Sequence, residues 1–423
     1  MVTAEASVPA DTFDVNDLSG STGFAARTVQ RLLDDPRWLF ALLRWLWPIP
    51  AFRNWVFVTR YDDVQEVLSH EQAFPVPFGP KIEELNGGPN FILGMPDGPL
   101  YRRYQKQLMQ AFRYEDVAAI VVPASAQVAS EIVASSGGRL DAVQDLITRV
   151  PIRICESYYG VEIPRDSEIA FGQWTIAMST YMFGDPTDNP GYRRAALAAG
   201  ERVRPLVDAA IAATKSSSVA ANTVLSRLIA MQAQGEEGLD DVTIRAYIIG
   251  LIAGFVPTNT MAAGHMLEML LRRPDFMTAT RAAALAGDDQ LLERCLFEAM
   301  RFMPLNPGPF RACASDYTIA AGTLRQRKVR AGAKLLASTQ SAMFDGRRIT
   351  KPNAFDPDRK RSDYMLFGYG LHWCIGAFVA AAQITQTLKP LLVRPNLRRV
   401  PGKDGELQRI GPFPAHLVVE FDL

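Results

Sequence analysis

The sequence predicts a mainly α-helical single domain with small β-sheets. Three observations carry this. Most segments repeat apolar residues three and four places apart, strand-like runs are short and few, and no repeat or long low-complexity linker divides the 423 residues. A composition 48% hydrophobic and 21% charged supplies a large core and gives no sign of a disordered chain.

In chain order, "MVTAEASVPADTFD" has neither a basic start nor an apolar run, so it does not read as a secretory signal. Residues 1–20 read as a flexible tail of a domain spanning 1–423. The run from Trp38 to Phe52, "WLFALLRWLWPIPAF", is interrupted by Arg44 and Pro48 and is too short to span a bilayer. It reads as a short helix packed on the body, in preference to one whose tryptophans touch a membrane surface. "YDDVQEVLSH" begins with aspartates and places Val64, Val67 and Leu68 on one helical face. "YRRYQKQLMQAF", "VPASAQVASEIVASS", "YRRAALAAGERVRPLVDAAIAAT" and "NTVLSRLIAMQAQ" read the same way. Strands are expected at "WVFVTR", "DYTIA", "KLLAST" and "HLVVEFDL".

The longest helix is expected from the Asp240-Asp241 caps to Arg272-Arg273-Pro274, about 32 residues or roughly 48 Å at 1.5 Å per residue. Gly250, Ala253, Gly254 and Pro257 share one side of it, a stripe of small residues that lets something bulky approach the backbone or packs tightly on another helix. Pro257 has no N–H for the carbonyl of Ala253, so the chain is expected to bend there.

Charge and cysteine usage narrow the function. Lys+Arg 45 against Asp+Glu 45 argues against a nucleic-acid binder that relies on phosphate attraction. Cys155, Cys295, Cys313 and Cys374 are far apart and form no C-x-x-C pair, which suits a reducing, cytoplasmic setting and neither a disulfide framework nor a structural zinc site. Cys374 stands apart in "LFGYGLHWCIGAF", with Phe367, Gly368, Gly370 and His372 before it and Gly376 after it. The glycines leave the sulfur uncrowded and let backbone amides turn toward a negative charge. A bare thiolate with no second protein ligand nearby needs a metal that brings its own ligands, as heme iron does.

The segment Phe367-x-x-Gly370-x-His372-x-Cys374-x-Gly376 resembles the heme-binding loop of the cytochrome P450 superfamily, in the form seen in soluble bacterial members, and the resemblance covers nearly the whole chain. It implies heme b (iron protoporphyrin IX) with Cys374 as axial ligand, set between the long central helix and the cysteine loop. It also implies a buried structural triad of Glu298, Arg301 and Arg359, with Arg311 and His372 on the heme propionates. Phe367, Gly368, Gly376, Ala253 and Gly254 would line the cofactor.

Two departures stand out. The family's helix opposite the iron carries Ala-Gly-x-[Asp/Glu]-Thr, but Ala253-Gly254-Phe255 is followed here by Val256 and Pro257. Pro257 then takes the threonine's place, and Thr258, about 100° round the helix, replaces the threonine only if the kink rotates it inward; Cys374, Pro257 and Thr258 are the expected catalytic positions. On that alignment the hydroxyls of Thr258 and Thr260 would matter little to turnover. Tyr101 and Gln105 stand where the family has a histidine and an arginine against the propionates.

The resemblance implies a monooxygenase that takes electrons from a ferredoxin and its reductase and inserts one oxygen atom from O2 into an apolar small molecule. It also implies a monomer with no membrane span. Alternatives are a peroxide-driven peroxygenase, a non-oxygenating heme-thiolate isomerase or dehydratase, and a heme-based ligand sensor. Phe91, Leu93, Met95, Gly250, Pro307 and Phe310 are the expected apolar substrate walls. Arg102, Arg103, Lys106 and Arg113 are the expected docking patch for an acidic ferredoxin.

Overall fold

A computed structural model describes residues 36–218 and 221–423; the expected 1–20 tail lies outside the described residues. The architecture is mostly helical, with four small sheets among the described residues. The helices expected from periodicity form at Tyr61–Ser69, Pro99–Ala111, Val122–Ser135, Pro190–Ser216 and Val224–Ala233. Three short π-helical segments, Val117–Val121, Ala142–Ile147 and Cys155–Tyr159, were not legible in the periodicity.

The central helix runs Asp241–Arg272 and continues through Pro257. Asp240 caps it, its carboxylate accepting the Thr243 N–H at 2.8 Å and so satisfying one of the free donors of the first turn. The helix is long and apolar enough to cross a membrane, but 89% of its most apolar window is buried, as in a core helix. Two large hydrophobic cores meet along it. Ala262, Met266 and Leu270 belong to one, and Tyr247, Ile252 and Val256 to the other.

The largest sheet pairs Trp55–Val58 in parallel with Lys334–Ala337, whose other edge pairs antiparallel with Phe310–Ala312. This register sets Arg311 opposite Leu335 in the interior. A C-terminal hairpin, Gln408–Ile410 with Phe413–His416, lies over the central helix. A side chain at Gly264 would collide with Pro414, so the glycine permits that close approach.

The tryptophan-rich segment forms the helix Arg37–Leu46, but the tryptophans are not what packs. Arg44, expected to interrupt an apolar run, is buried and donates to the Ser341 hydroxyl at 2.8 Å and carbonyl at 3.0 Å. Trp38 and Trp45 face outward, the latter 71% exposed.

His265 ties the central helix to its surroundings. Its Nδ1 lies 3.2 Å from the Pro304 carbonyl and its Nε2 2.7 Å from Arg409 Nη1. Burial, then the field of Arg409, lowers its pKa to about 3. The ring is therefore neutral, donating to Pro304 and accepting from Arg409. An unfolded histidine takes up its proton near pH 6.5 whereas the folded one does so only near 3, so this contribution is present above pH 6.5 and is lost as pH falls toward 3. His265→Gln should therefore flatten the dependence of unfolding free energy on pH between 4 and 6 by about 1.4 kcal/mol per pH unit, measured by denaturant titration.

Candidate active site

Cys374 lies in a loop whose shape is set by glycines in the left-handed region. Gly368 has φ 81° and Gly370 φ 76°, where side chains are strained, and any side chain at Gly370 would also strike the Leu68 carbonyl. The loop closes on itself: the Cys374 N–H donates to the Phe367 carbonyl at 3.0 Å and the Trp373 N–H to that of Gly370 at 3.1 Å. Gly376 then caps the helix Ala377–Leu392, so the sulfur sits near a helix N-terminus. Phe367 packs between Phe297 and Trp373. Of the four free cysteines, three are buried and Cys374 is only half-buried. Desolvation still pushes its thiol up to about 11, with the Gly376 N–H pulling the other way. A cation placed on the sulfur is what brings out the thiolate at neutral pH.

Behind the loop, Glu298 is fully buried and bound on every side. Arg301 reaches it through Nε at 2.9 Å and Nη2 at 2.7 Å, Arg359 through Nε at 3.3 Å. The Tyr364 hydroxyl donates at 2.7 Å and the Asp356 N–H at 3.1 Å. Both arginines also donate to carbonyls of the segment 343–354, and Arg301 lies between the rings of Phe302 and Phe344. Tyr364 was not foreseen; burial and Glu298 hold its phenol well above the usual range. Glu298→Ala should remove about 3–5 kcal/mol of stability, read as a lowered melting temperature, by leaving two buried guanidiniums without their carboxylate.

The central helix has one partly open face. Gly254 and Thr258 are half-buried while Ala253, Val256 and Pro257 are buried, and the space beside Gly254 is empty to 4 Å. Residues four apart share a face, and the pair on the open one is Gly254 with Thr258. The Thr258 hydroxyl donates to the Gly254 carbonyl and lies 3.3 Å from that of Phe255. The Thr260 hydroxyl turns inward to the Val256 carbonyl at 2.8 Å. Asn259 serves a different purpose, donating at 2.6 Å to Gln383 on the helix that follows Cys374.

At the edge of the loop, Tyr101 stands edge-on to His372 with ring centroids 5.8 Å apart, and its hydroxyl donates to the Leu371 carbonyl at 3.1 Å. Gln105 reaches that hydroxyl at 3.4 Å. Arg311 is buried, with Nη1 on the Phe310 carbonyl at 2.9 Å and a buried Nε that has no partner. Among the expected substrate walls, Phe91 and Met95 are buried, Leu93 is half-buried and Phe91 fits against Gly250 where a side chain would clash. Pro307 is exposed. Phe310 is half-buried, its ring edge-on to Trp55 at 5.9 Å. Ile176, Met261 and Phe413 form a further apolar cluster.

Residues 46–412 match the profile of the family described as Cytochrome P450. The chain is a cytochrome P450. It is 27% identical to nocardicin C N-oxygenase of Nocardia uniformis subsp. tsuyamanensis, over 85% of this chain and 89% of that one. It is 26% identical to the mycinamicin IV hydroxylase/epoxidase of Micromonospora griseorubida, over 81% and 82%. Its fold is similar to that of CYP109E1 from Bacillus megaterium, solved with testosterone, at a TM-score of 0.77 and 19% identity, covering 93% and all of the two chains. As a member of this family the protein uses heme b and is an oxidoreductase of the monooxygenase type. The residues present fit that cofactor: one half-buried thiol, open space beside Gly254 on the central helix, and a buried guanidinium with an unpartnered nitrogen for an anionic group.

Proposed function

We propose that this cytochrome P450 inserts one oxygen atom from O2 into an apolar small molecule, with electrons delivered by a ferredoxin and its reductase, as a cytoplasmic monomer. The observation that carries this reading is Thr258 on the open face of the central helix, its hydroxyl directed to the Gly254 carbonyl. When bound, heme supplies oxygen activation, with thiolate donation from Cys374 favouring O–O cleavage. Thr258 Oγ1 is then the one side-chain group of this face able to hold or pass a proton, while Val256 and Pro257 offer none. Cys374 fixes the cofactor's position, and the apolar walls at Phe91, Leu93 and Met95 exclude water and receive an apolar substrate.

The peroxide-driven alternative has less support, since Val256 beside Pro257 is buried and cannot anchor a carboxylate. The relatives named as hydroxylase, epoxidase and oxygenase point the same way. Thr258→Ala should lower coupled, ferredoxin-driven turnover by about a hundredfold, within the range of a lost acid–base group. Thr260→Ala should stay within a few-fold of the parent, because Thr260 is buried whereas Thr258 stands on the open face. Equal turnover in the two variants would remove Thr258 from the proton path.

The expected docking patch is partly neutralised. Arg102 pairs with Asp97 at 3.1 Å and Arg103 pairs with Glu237, while no ion pair forms on Lys106 or Arg113 among the described residues. Trp373, Met109 and Tyr114 are exposed on neighbouring stretches of chain. Lys106→Glu with Arg113→Glu should slow reduction by an acidic ferredoxin at low salt, with the difference fading as salt rises and substrate binding unchanged. Stopped-flow reduction rates that match the parent at low salt would place docking elsewhere.

A further inference from the structure

The cluster expected to hold the heme propionates already contains a carboxylate of the chain itself. Glu71 follows the helix Tyr61–Ser69 by two residues, and its Oε1 lies 3.0 Å from His372 Nε2. The same oxygen accepts the Val76 N–H at 3.3 Å, and Oε2 is buried with no hydrogen-bond partner. Arg311 is close enough for Glu71 to raise its pKa against the larger lowering effect of burial, and Tyr101, edge-on to His372, feels the same charge. His372 is thus bonded to Glu71, and Arg311 and Tyr101 lie within reach of its charge without a hydrogen bond to it. Two of these residues, Glu71 and Arg311, each hold a buried polar atom without a partner.

We propose that Glu71 is a resident carboxylate of the propionate pocket, which holds His372 beside Arg311 and then opposes the heme carboxylates that share them. The inference rests on the assignment of Arg311 and His372 to the propionates. With heme bound, the pocket holds three carboxylates, and Arg311 is the fixed positive charge among them. Each carboxylate is repelled by the others in a half-buried setting, where screening is weak. Glu71 therefore weakens heme retention and favours the ferric state, whose extra positive charge a nearby anion stabilises. A residue that merely oriented His372 would do the opposite to retention.

The two roles are separated by Glu71→Gln, which removes the charge and keeps the shape. On the purified holoenzyme, heme transfer to excess apomyoglobin should slow about tenfold, the size expected for one carboxylate repulsion across about 12 Å at an effective dielectric near 20. The ferric–ferrous midpoint potential should move to more positive values. Transfer as fast as or faster than the parent's, or a potential that stays or falls, overturns the proposal and leaves Glu71 an orienting residue for His372. Should the Gln variant fail to fold, Glu71→Asp, which withdraws the charge by one methylene, must show both changes at smaller size, and faster heme loss there overturns it equally. Arg311→Gln tests the underlying assignment: it should speed heme loss, and an unchanged rate would show that Arg311 does not hold a propionate, whatever Glu71 does.

Discussion

A carboxylate taken wholly out of water organises the cysteine side of this molecule. Glu298 has no exposed surface, and an isolated charge there would not survive folding. It is retained because two guanidiniums, a phenol and a backbone amide converge on it. Those donors come from the helix Asp289–Phe302 and from the segment 356–364, which leads directly into the loop that carries Cys374. The two arginines spend their remaining donors on carbonyls of an otherwise irregular stretch. A long connection is thereby held with few regular backbone hydrogen bonds of its own.

Across the site the central helix divides its polar residues by face. Asn259 looks inward and fastens the helix to Gln383, which in turn donates to Thr387 at 2.7 Å. This bond connects the helix above the site to the one that begins just after Cys374, so the two walls keep a common register. Gly254 and Thr258 look outward into the opening. Pro257 sits on the buried side, where its ring packs and its missing N–H leaves room in the helix ladder. Threonines at 258 and 260 return hydroxyl donors to carbonyls of the preceding turn, as threonine does inside helices.

Charge is managed locally, without a net excess. Arginines that look free in the sequence are largely committed: Arg102 to Asp97, Arg103 to Glu237, Arg44 to Ser341. Arg311 and Glu71 each keep a buried polar atom without a partner, as Arg103 does at its Nε. Buried polar atoms without partners are rare enough in folded proteins to mark a place where a ligand completes the set.

The sequence by itself determined the features that depend on neighbours in the chain. The ten residues from Phe367 to Gly376 specify their loop, because glycines at 368 and 370 adopt backbone angles that other residues resist. The helix from Asp241 to Arg272 was legible end to end, since its cap and its apolar period are local. Helical periodicity with few strands likewise announced the fold class. Tertiary structure alone decided which face of that helix is open, because a single residue of rotation, about 100°, exchanges Pro257 for Thr258. It alone brought Glu71 to His372 across 301 positions, Arg44 to Ser341 across 297 and Asn259 to Gln383 across 124. Such pairs carry no signature in one sequence: each partner is an ordinary polar residue until packing removes its water and brings the other within hydrogen-bond reach.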